Sequence, residues 1–217
     1  MLRIVKIFDK KQSLIYKEKL ASAKFRKGPS PVSDKPELKS NSEFMPAERN
    51  SVNSEIQRDI YTNKFVQKLC RPFKINGPMV NSYSTGDYYK KHCDEVEMNG
   101  PFRADISFTL FLSEPDEYEG GGLEVIHGDQ SPQFRLPAGT GVFYSTGMMH
   151  QVLPVTNGTR ICAVGWIQSS IKHDERRNIL FELEMARDEY IQKHGYDDLA
   201  LSIESGILKL VQLWVEY

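Results

Sequence analysis

The sequence contains few cysteines and no long apolar run. Its three cysteines, Cys70, Cys93 and Cys162, are far apart and form no CxxC pair, so a reducing compartment fits better than a zinc or dithiol site. No stretch of about 18 consecutive apolar residues occurs, which argues against a transmembrane helix. The first residues, "MLRIVKIFDKKQSL", lack the apolar core and small-residue cleavage site of a signal peptide. We therefore expect a soluble, cytoplasmic protein with no membrane partner.

An excess of charge of either sign is also missing. The 28 Lys and Arg residues nearly balance the 29 Asp and Glu residues, giving a formal net charge of -1. Such a chain has no overall basic footprint for nucleic acid, so a nucleic-acid partner is not expected. Its 217 residues are enough for one well-buried domain with helical additions.

The first third of the chain, residues 1–74, mixes helical, strand and loop patterns. The segment "LRIVKIF" predicts a short strand, and apolar spacing predicts helices at Leu14–Ala23 and at Ser54–Leu69. Residues 26–54 are rich in Pro, Ser, Asn and charge, which predicts a long mobile loop. Two readings of this loop stay open: a lid over a binding site, or a linker without a role.

The middle of the chain, residues 75–169, changes to a period of two. Short β-branched or aromatic runs such as "DISFTLFL", "GVFYS" and "RICAVGWIQ" are separated by Gly, Pro and Asn turns, which predicts an antiparallel sandwich or barrel. Residues 170–217 return to helical spacing. The final helix is apolar on more than one face, so we expect it to pack on the sheet or to join a second copy as a homo-oligomer.

The motif "KHCDE" places two potential metal ligands beside each other. In an extended strand, His92 and Asp94 share one face and Cys93 points to the other. Two histidines and one carboxylate on one side of a metal, with the other positions open, are typical of non-haem Fe(II) oxygenases. The pair therefore predicts half of a site and requires a second histidine from elsewhere.

Four other histidines are available as the missing ligand. His173 and His194 flank a predicted helix in polar surroundings, and His127 ends a strand at a turn, so all three fit surface positions. His150 enters a strand just after "GVFYSTGMM" and is the best candidate.

A second group of residues follows His150 at hairpin distance. Arg160 opens the strand "RICAVGWIQ" after a "TNG" turn, and its planar guanidinium could grip a carboxylate with two hydrogen bonds. Trp166 shares the face of Arg160 by the period of two and would line the same pocket. Tyr83, nine residues before His92, offers a further hydroxyl donor.

From about Met79 to Gln168 the chain resembles the 2-oxoglutarate- and Fe(II)-dependent dioxygenases, and within them the PKHD-type (prolyl/lysyl hydroxylase-like) group. The resemblance rests on the ordered blocks "YSTGDYYKKHCD", "RADISFTLFLSEPDEYEGGGLEV", "LPAGTGVFYSTGMMHQVLPVTNGTR" and "WIQS". It departs from the group at Gly122, where Glu is usual, and at Cys93. Neither position is expected to touch a ligand.

The resemblance implies a mainly β fold with flanking helices and a double-stranded β-helix (jelly-roll, cupin-like) core. It implies Fe(II) bound by His92, Asp94 and His150, with 2-oxoglutarate held at its distal carboxylate by Arg160 and helped by Tyr83. Dioxygen is the second cosubstrate, and ascorbate stays open as an additional cofactor.

The implied activity is hydroxylation of an unactivated C–H bond, with a prolyl or lysyl side chain of a protein or peptide as the substrate that the group's name suggests. A small-molecule substrate also stays open. Two other classes remain as alternatives: a non-catalytic jelly-roll binding module, because a fold alone does not imply function, and a nucleic-acid demethylase with the same cofactors.

Overall fold

The computed structural model describes residues 1–28, 36–44, 49–98 and 100–216. The centre of the described chain is β-structure, with helices before and after it. The strands are β1 Leu2–Lys6, β2 Phe25–Lys27, β3 Lys39–Ser40, β4 Ser42–Phe44, β5 Pro72–Ser84, β6 Tyr88–His92, β7 Glu97–Met98, β8 Phe102–Arg103, β9 Ile106–Phe111, β10 Tyr118–Gly120, β11 Leu123–Val125, β12 Gln133–Phe134, β13 Thr140–Ser145, β14 His150–Val152 and β15 Val155–Ser169. The helices are α1 Lys10–Ala21, α2 Arg49–Thr62, α3 Lys64–Cys70, α4 Asp174–His194 and α5 Asp198–Trp214.

Two antiparallel sheets form the core, as the strand periodicity predicts. The larger has the order β1-β13-β9-β15-β5-β4-β2, with β10 paired to β15, and the smaller has the order β12-β11-β14-β6-β3. A separate hairpin joins β7 to β8.

Strand β9 shows how the sequence sets up the two faces of the larger sheet. All six residues of "ISFTLF" are buried, as expected for a central strand covered on both sides. Ile106 and Leu110 belong to the same apolar cluster as residues of α2 and α3. On the other face Ser107 reaches Asp94, and Thr109 lines a cavity. One face of the sheet therefore packs on helices, while the other faces the site described below.

The predicted loop over residues 26–54 contains regular secondary structure in most of its described part, while its mobility stays a prediction. Within residues 36–44, β3 pairs with β6 of the smaller sheet and β4 pairs with β5 of the larger one. The pairing comes from tertiary contact, because "KSNSEF" contains no β-branched residue. The rest of the predicted loop, residues 29–35 and 45–48, lies outside the described residues.

The helices of the N-terminal third also differ from their predicted bounds. Helix α1 begins at Lys10 because Asp9 caps it, accepting a hydrogen bond from the backbone N–H of Gln12. The single helix expected at Ser54–Leu69 is two helices. Asn63 has an extended backbone and its side chain caps α3, so α2 ends one residue before it.

Helices α4 and α5 form the C-terminal part, as predicted. They meet in a small apolar cluster that includes Leu180 and Ile207. Leucines on the outer side of α5 remain exposed, among them Leu208 and Leu213. Pairing of two copies through this helix stays a prediction. None of the helices in the described ranges combines the length and apolar character needed to cross a lipid bilayer.

Candidate active site

Three side chains meet in the smaller sheet, where β6 ends and β14 begins. His92 ends β6 and His150 begins β14, and the two residues are direct partners in the register of these strands. Asp94 lies just beyond the end of β6, and its Oδ1 is 3.7 Å from the Nε2 atom of each histidine. One ligand atom from each residue lies within 4.8 Å of the others, so a single ion can contact all three. The pairing of β6 with β14 therefore assembles the predicted set.

Both imidazoles are fixed with Nε2 toward the aspartate. The Nδ1 of His92 lies 2.8 Å from the carbonyl oxygen of Lys90, and that of His150 lies 3.0 Å from the carbonyl of Met148. A carbonyl can only accept, so each Nδ1 carries the hydrogen and each Nε2 presents a free lone pair. The tautomers are those that a metal ion requires.

The carboxylate of Asp94 is oriented by two donors. Its Oδ2 accepts hydrogen bonds from Trp166 Nε1 at 3.0 Å and from Ser107 Oγ at 2.7 Å. These bonds occupy one oxygen and leave Oδ1 facing the histidines. Ser107 was missed at the sequence level, because a serine inside "DISFTLFL" gives no signal until the fold brings it to Asp94.

Burial keeps the His92 imidazole neutral. Two causes lower the pKa of His92 to about 4: burial away from water, which is the larger, and the proximity of His150. The ring of Tyr89 stacks on His92 with centroids 3.6 Å apart and an angle of 16° between planes. A neutral, sterically held imidazole is ready to bind a cation at neutral pH.

Arg160 lies on β15, directly opposite Tyr83 of β5, and is completely buried. Its Nη1 donates to the sulfur of Cys162 at 2.9 Å, whereas Nε and Nη2 have no hydrogen-bond partner among the described residues. The rings of Tyr83 and Phe111 each lie 5.2 Å from its guanidinium carbon. A buried guanidinium with free donors is strongly unfavourable unless an anion completes it, so the residues fit a carboxylate ligand.

Tyr118 is a second hydroxyl near Arg160 that the sequence did not single out. Its hydroxyl is buried and has no hydrogen-bond partner within the part of the chain that the structure describes. Gly121, with a φ of +59°, lies between the two side chains: a Cβ there would come within 3.2 Å of Arg160 Cδ and 3.3 Å of the Tyr118 ring. The sequence signal was the "EGGG" run, whose glycines allow this close approach.

The triad opens onto a cavity of about 610 Å³ between the two sheets. Both sheets contribute to its wall, which includes Tyr83, Tyr89, Thr109, Tyr144, Val164 and Trp166. An ion pair also lines it: Lys39 Nζ lies 3.0 Å from Glu43 Oε1, with about a tenth of each side chain exposed. Part of the segment for which a lid and a linker both stay open as interpretations thus lines the cavity.

The sequence matches the family model of the 2OG-Fe(II) oxygenase superfamily over residues 78–168. A PKHD-type hydroxylase from Picosynechococcus sp. is 35% identical over 166 residues, which cover 76% of this chain and 75% of the relative. The chain belongs to the PKHD-type hydroxylases of this superfamily. As a member, it is an enzyme that uses Fe(II), 2-oxoglutarate and dioxygen.

Solved structures show the same jelly-roll fold. HygX from Streptomyces hygroscopicus, solved with nickel and 2-oxoglutarate bound, has a TM-score of 0.57 at 11% identity and covers 79% of this chain and 84% of its own. A prolyl-4-hydroxylase from Pseudomonas putida has a TM-score of 0.51 at 17% identity, covering 77% of this chain and 92% of its own. The expected fold class is confirmed.

The remaining predicted residues are placed as follows. His127 is exposed in a turn, and His173 and His194 are exposed at the two ends of α4, all away from the triad. Trp166 lines the cavity but directs its indole N–H to Asp94, at the metal end, rather than to Arg160. The register of β15 with β9 is unbroken from Cys162 to Ile167, so the period of two holds, and the irregularity opposite Trp166 lies on β5. Trp166 meets Asp94 because six residues of strand separate it from Arg160.

Proposed function

We propose that this PKHD-type hydroxylase hydroxylates a prolyl or lysyl side chain of a protein or peptide at an unactivated C–H bond. The observation that carries the proposal is the cavity, which has the metal triad in its wall and the unpaired Arg160 behind it, and is open toward the surface at Cys93 and Glu95. This arrangement leaves room for a side chain to enter beside the cosubstrate.

When bound, the iron and 2-oxoglutarate together supply an oxidant from dioxygen, yielding succinate, carbon dioxide and one oxygen atom for the substrate. The protein's own residues do the positioning. Arg160 would grip the distal carboxylate in a buried site, and the phenols of Tyr83 and Tyr118 lie beside it as donors, since burial raises the pKa of both. Ser107 and Trp166 hold Asp94 so that its free oxygen lies beside the two histidines, where it would bind the metal.

Of the two side chains, the wall favours the prolyl ring. Aromatic and sulfur-containing side chains, including Tyr89, Trp166 and Met98, line the cavity, and these suit a small apolar ring. A lysyl ammonium would need a carboxylate, yet Glu43 is already held by Lys39. Glu95 is the remaining acid near the mouth.

The experiment compares proteins from cells with and without the active enzyme by mass spectrometry, searching for the added mass of one oxygen atom. Acid hydrolysis and amino-acid analysis then separate hydroxyproline from hydroxylysine. The Asp94→Ala variant serves as the inactive control. Appearance of neither amino acid, while the wild-type enzyme still turns 2-oxoglutarate into succinate, would exclude a protein substrate and direct the search to small molecules.

A further inference from the structure

A second cavity, of about 720 Å³, lies between helix α2 and strand β5, and we call it the α2–β5 groove. On the helix side Ser54, Gln57, Arg58 and Tyr61 line it with the spacing of one helix face. On the strand side it is lined by residues 73–76. Gln57 Nε2 donates to the carbonyl oxygen of Ile75 at 3.3 Å and so ties the two walls together.

The α2–β5 groove and the active-site cavity meet at shared residues. Asn76 lines both. Across the β7–β8 hairpin Met98 is paired with Phe102, and Met98 lines the active-site cavity whereas Phe102 lines the groove. An extended chain whose target side chain reaches the triad can therefore continue into the groove without leaving the surface.

The groove presents positive charge beside aromatic surface. Arg58 and Lys74 both line it, and the Arg58 side chain is 65% exposed. Among the lining residues that the structure describes there is no carboxylate. The neighbouring Asp59 accepts a hydrogen bond of 2.6 Å from the hydroxyl of the core residue Tyr16. Its contact with Arg58 is longer, at 3.5 Å, and does not neutralise this exposed arginine.

Aromatic side chains supply the apolar part of the groove. Tyr61 and Phe73 are 48% and 37% exposed, a large exposure for residues of this size. Lys74 Nζ lies 5.1 Å from the centre of the Phe73 ring, so charge and aromatic surface form one patch. The complement of this patch is a segment that carries carboxylates next to an apolar side chain.

We infer that the α2–β5 groove binds the residues flanking the target in an acidic peptide, with Arg58 and Lys74 pairing to its carboxylates. The inference rests on the proposed function, because it assumes that the substrate is a peptide chain. It adds what that proposal lacks: the sequence character of the substrate outside the hydroxylated residue.

The test measures binding without turnover. The enzyme is loaded with Mn(II) and 2-oxoglutarate, and fluorescence anisotropy follows two labelled peptides, Glu-Phe-Glu-Gly-Pro-Gly-Glu-Phe-Glu and its counterpart with Gln at every Glu position. Each peptide reads the same in both directions, so the orientation of binding does not matter. Two exposed ion pairs predict about 5-fold tighter binding of the acidic peptide at low salt, and the preference should shrink in 1 M salt.

The charge-reversal variant Arg58→Glu with Lys74→Glu should abolish or invert this preference. Lys10→Glu with Lys11→Glu on the exposed start of α1 is the matched control, since it changes the net charge equally and should keep the preference. Equal affinity for the two peptides, or the same ratio in both double variants, overturns the inference. Because hydroxyproline formation is measured separately, a preference that persists without it would support the groove and count against prolyl hydroxylation.

Discussion

The two ends of the active site differ in how completely their polar groups are satisfied. At the metal end both imidazoles and Asp94 already have hydrogen-bond partners that leave only the ligand atoms free. At the other end Arg160 is buried with two donor groups unpaired. At the metal end the ligand side chains are thus already oriented, whereas at the cosubstrate end the charge of Arg160 has no anion beside it in the described part of the chain. The two ends should respond differently to substitution.

The largest effect is expected from removing a ligand of the triad. Asp94→Ala should weaken Mn(II) binding by more than about 100-fold, because even residues behind metal ligands are worth about 10- to 100-fold. Isothermal calorimetry measures the affinity, and His127→Ala is the control, since this histidine is exposed in a turn. Wild-type affinity in the Asp94 variant would contradict the assignment of the metal end.

Substitution of Arg160 should affect 2-oxoglutarate binding without affecting metal binding. Arg160→Leu should raise the 2-oxoglutarate requirement by about 100-fold, since a carboxylate loses charge-assisted hydrogen bonds in a buried site. Mn(II) affinity should stay unchanged. Titration of 2-oxoglutarate against succinate formation measures the first quantity, and the exposed Arg3→Leu is the control. An unaltered titration would move the carboxylate site elsewhere.

Replacing the buried Arg160 by an apolar residue should also stabilise the ligand-free protein. Arg160→Met should raise the unfolding free energy of the ligand-free protein by about 1–2 kcal/mol, because it removes a buried cation with two unpaired donor groups. Saturating 2-oxoglutarate should reverse the order of wild type and variant. Thermal denaturation with and without 2-oxoglutarate gives both comparisons. A variant that is less stable in both conditions would mean that Arg160 is already satisfied.

A smaller effect is expected behind the metal ligands. Trp166→Phe keeps the ring but removes the N–H that donates to Asp94, and should weaken Mn(II) binding by about 10-fold. Trp214→Phe, at the end of α5, is the matched control. If the affinity for 2-oxoglutarate falls instead, Trp166 belongs to the cosubstrate pocket, as the sequence alone suggested.

The smallest effect separates the two phenols beside Arg160. Tyr83→Phe and Tyr118→Phe each remove one neutral hydroxyl, and the one that contacts the carboxylate should cost about 5-fold in 2-oxoglutarate affinity. The other should be silent. The same succinate titration decides between them, and loss in neither would leave Arg160 as the sole anchor.

The sequence predicts those parts of the molecule that depend on local pattern. Alternation in "DISFTLFL" indicates the buried sheet, and the spacing in "HCD" indicates two ligands on one face. It fails where tertiary contact decides. Asn63 interrupts a continuous apolar pattern by capping α3, and residues 36–44 pair with both sheets despite a polar composition.

The same distinction holds within the site. His92, Asp94, His150 and Arg160 were found because their residue types carry a specific chemistry. Ser107 and Tyr118 were missed, because serine and tyrosine are common in strands and acquire a role only through the neighbour that the fold gives them. Trp166 lies on the predicted face of β15, but its indole N–H meets Asp94, a neighbour that only the fold supplies.

The hydrogen bonds from the two histidines to backbone carbonyls make the geometry of the metal site insensitive to substitutions at neighbouring positions. Each imidazole is oriented by a hydrogen bond from its Nδ1 to the main-chain carbonyl two positions earlier, at Lys90 and Met148. Every amino acid provides that carbonyl, so the side chains at these two positions can vary without disturbing the ligand tautomers. The surroundings of the metal can therefore be rebuilt for new substrates by exchanging neighbouring side chains, while the geometry that holds the ion is inherited with the strands.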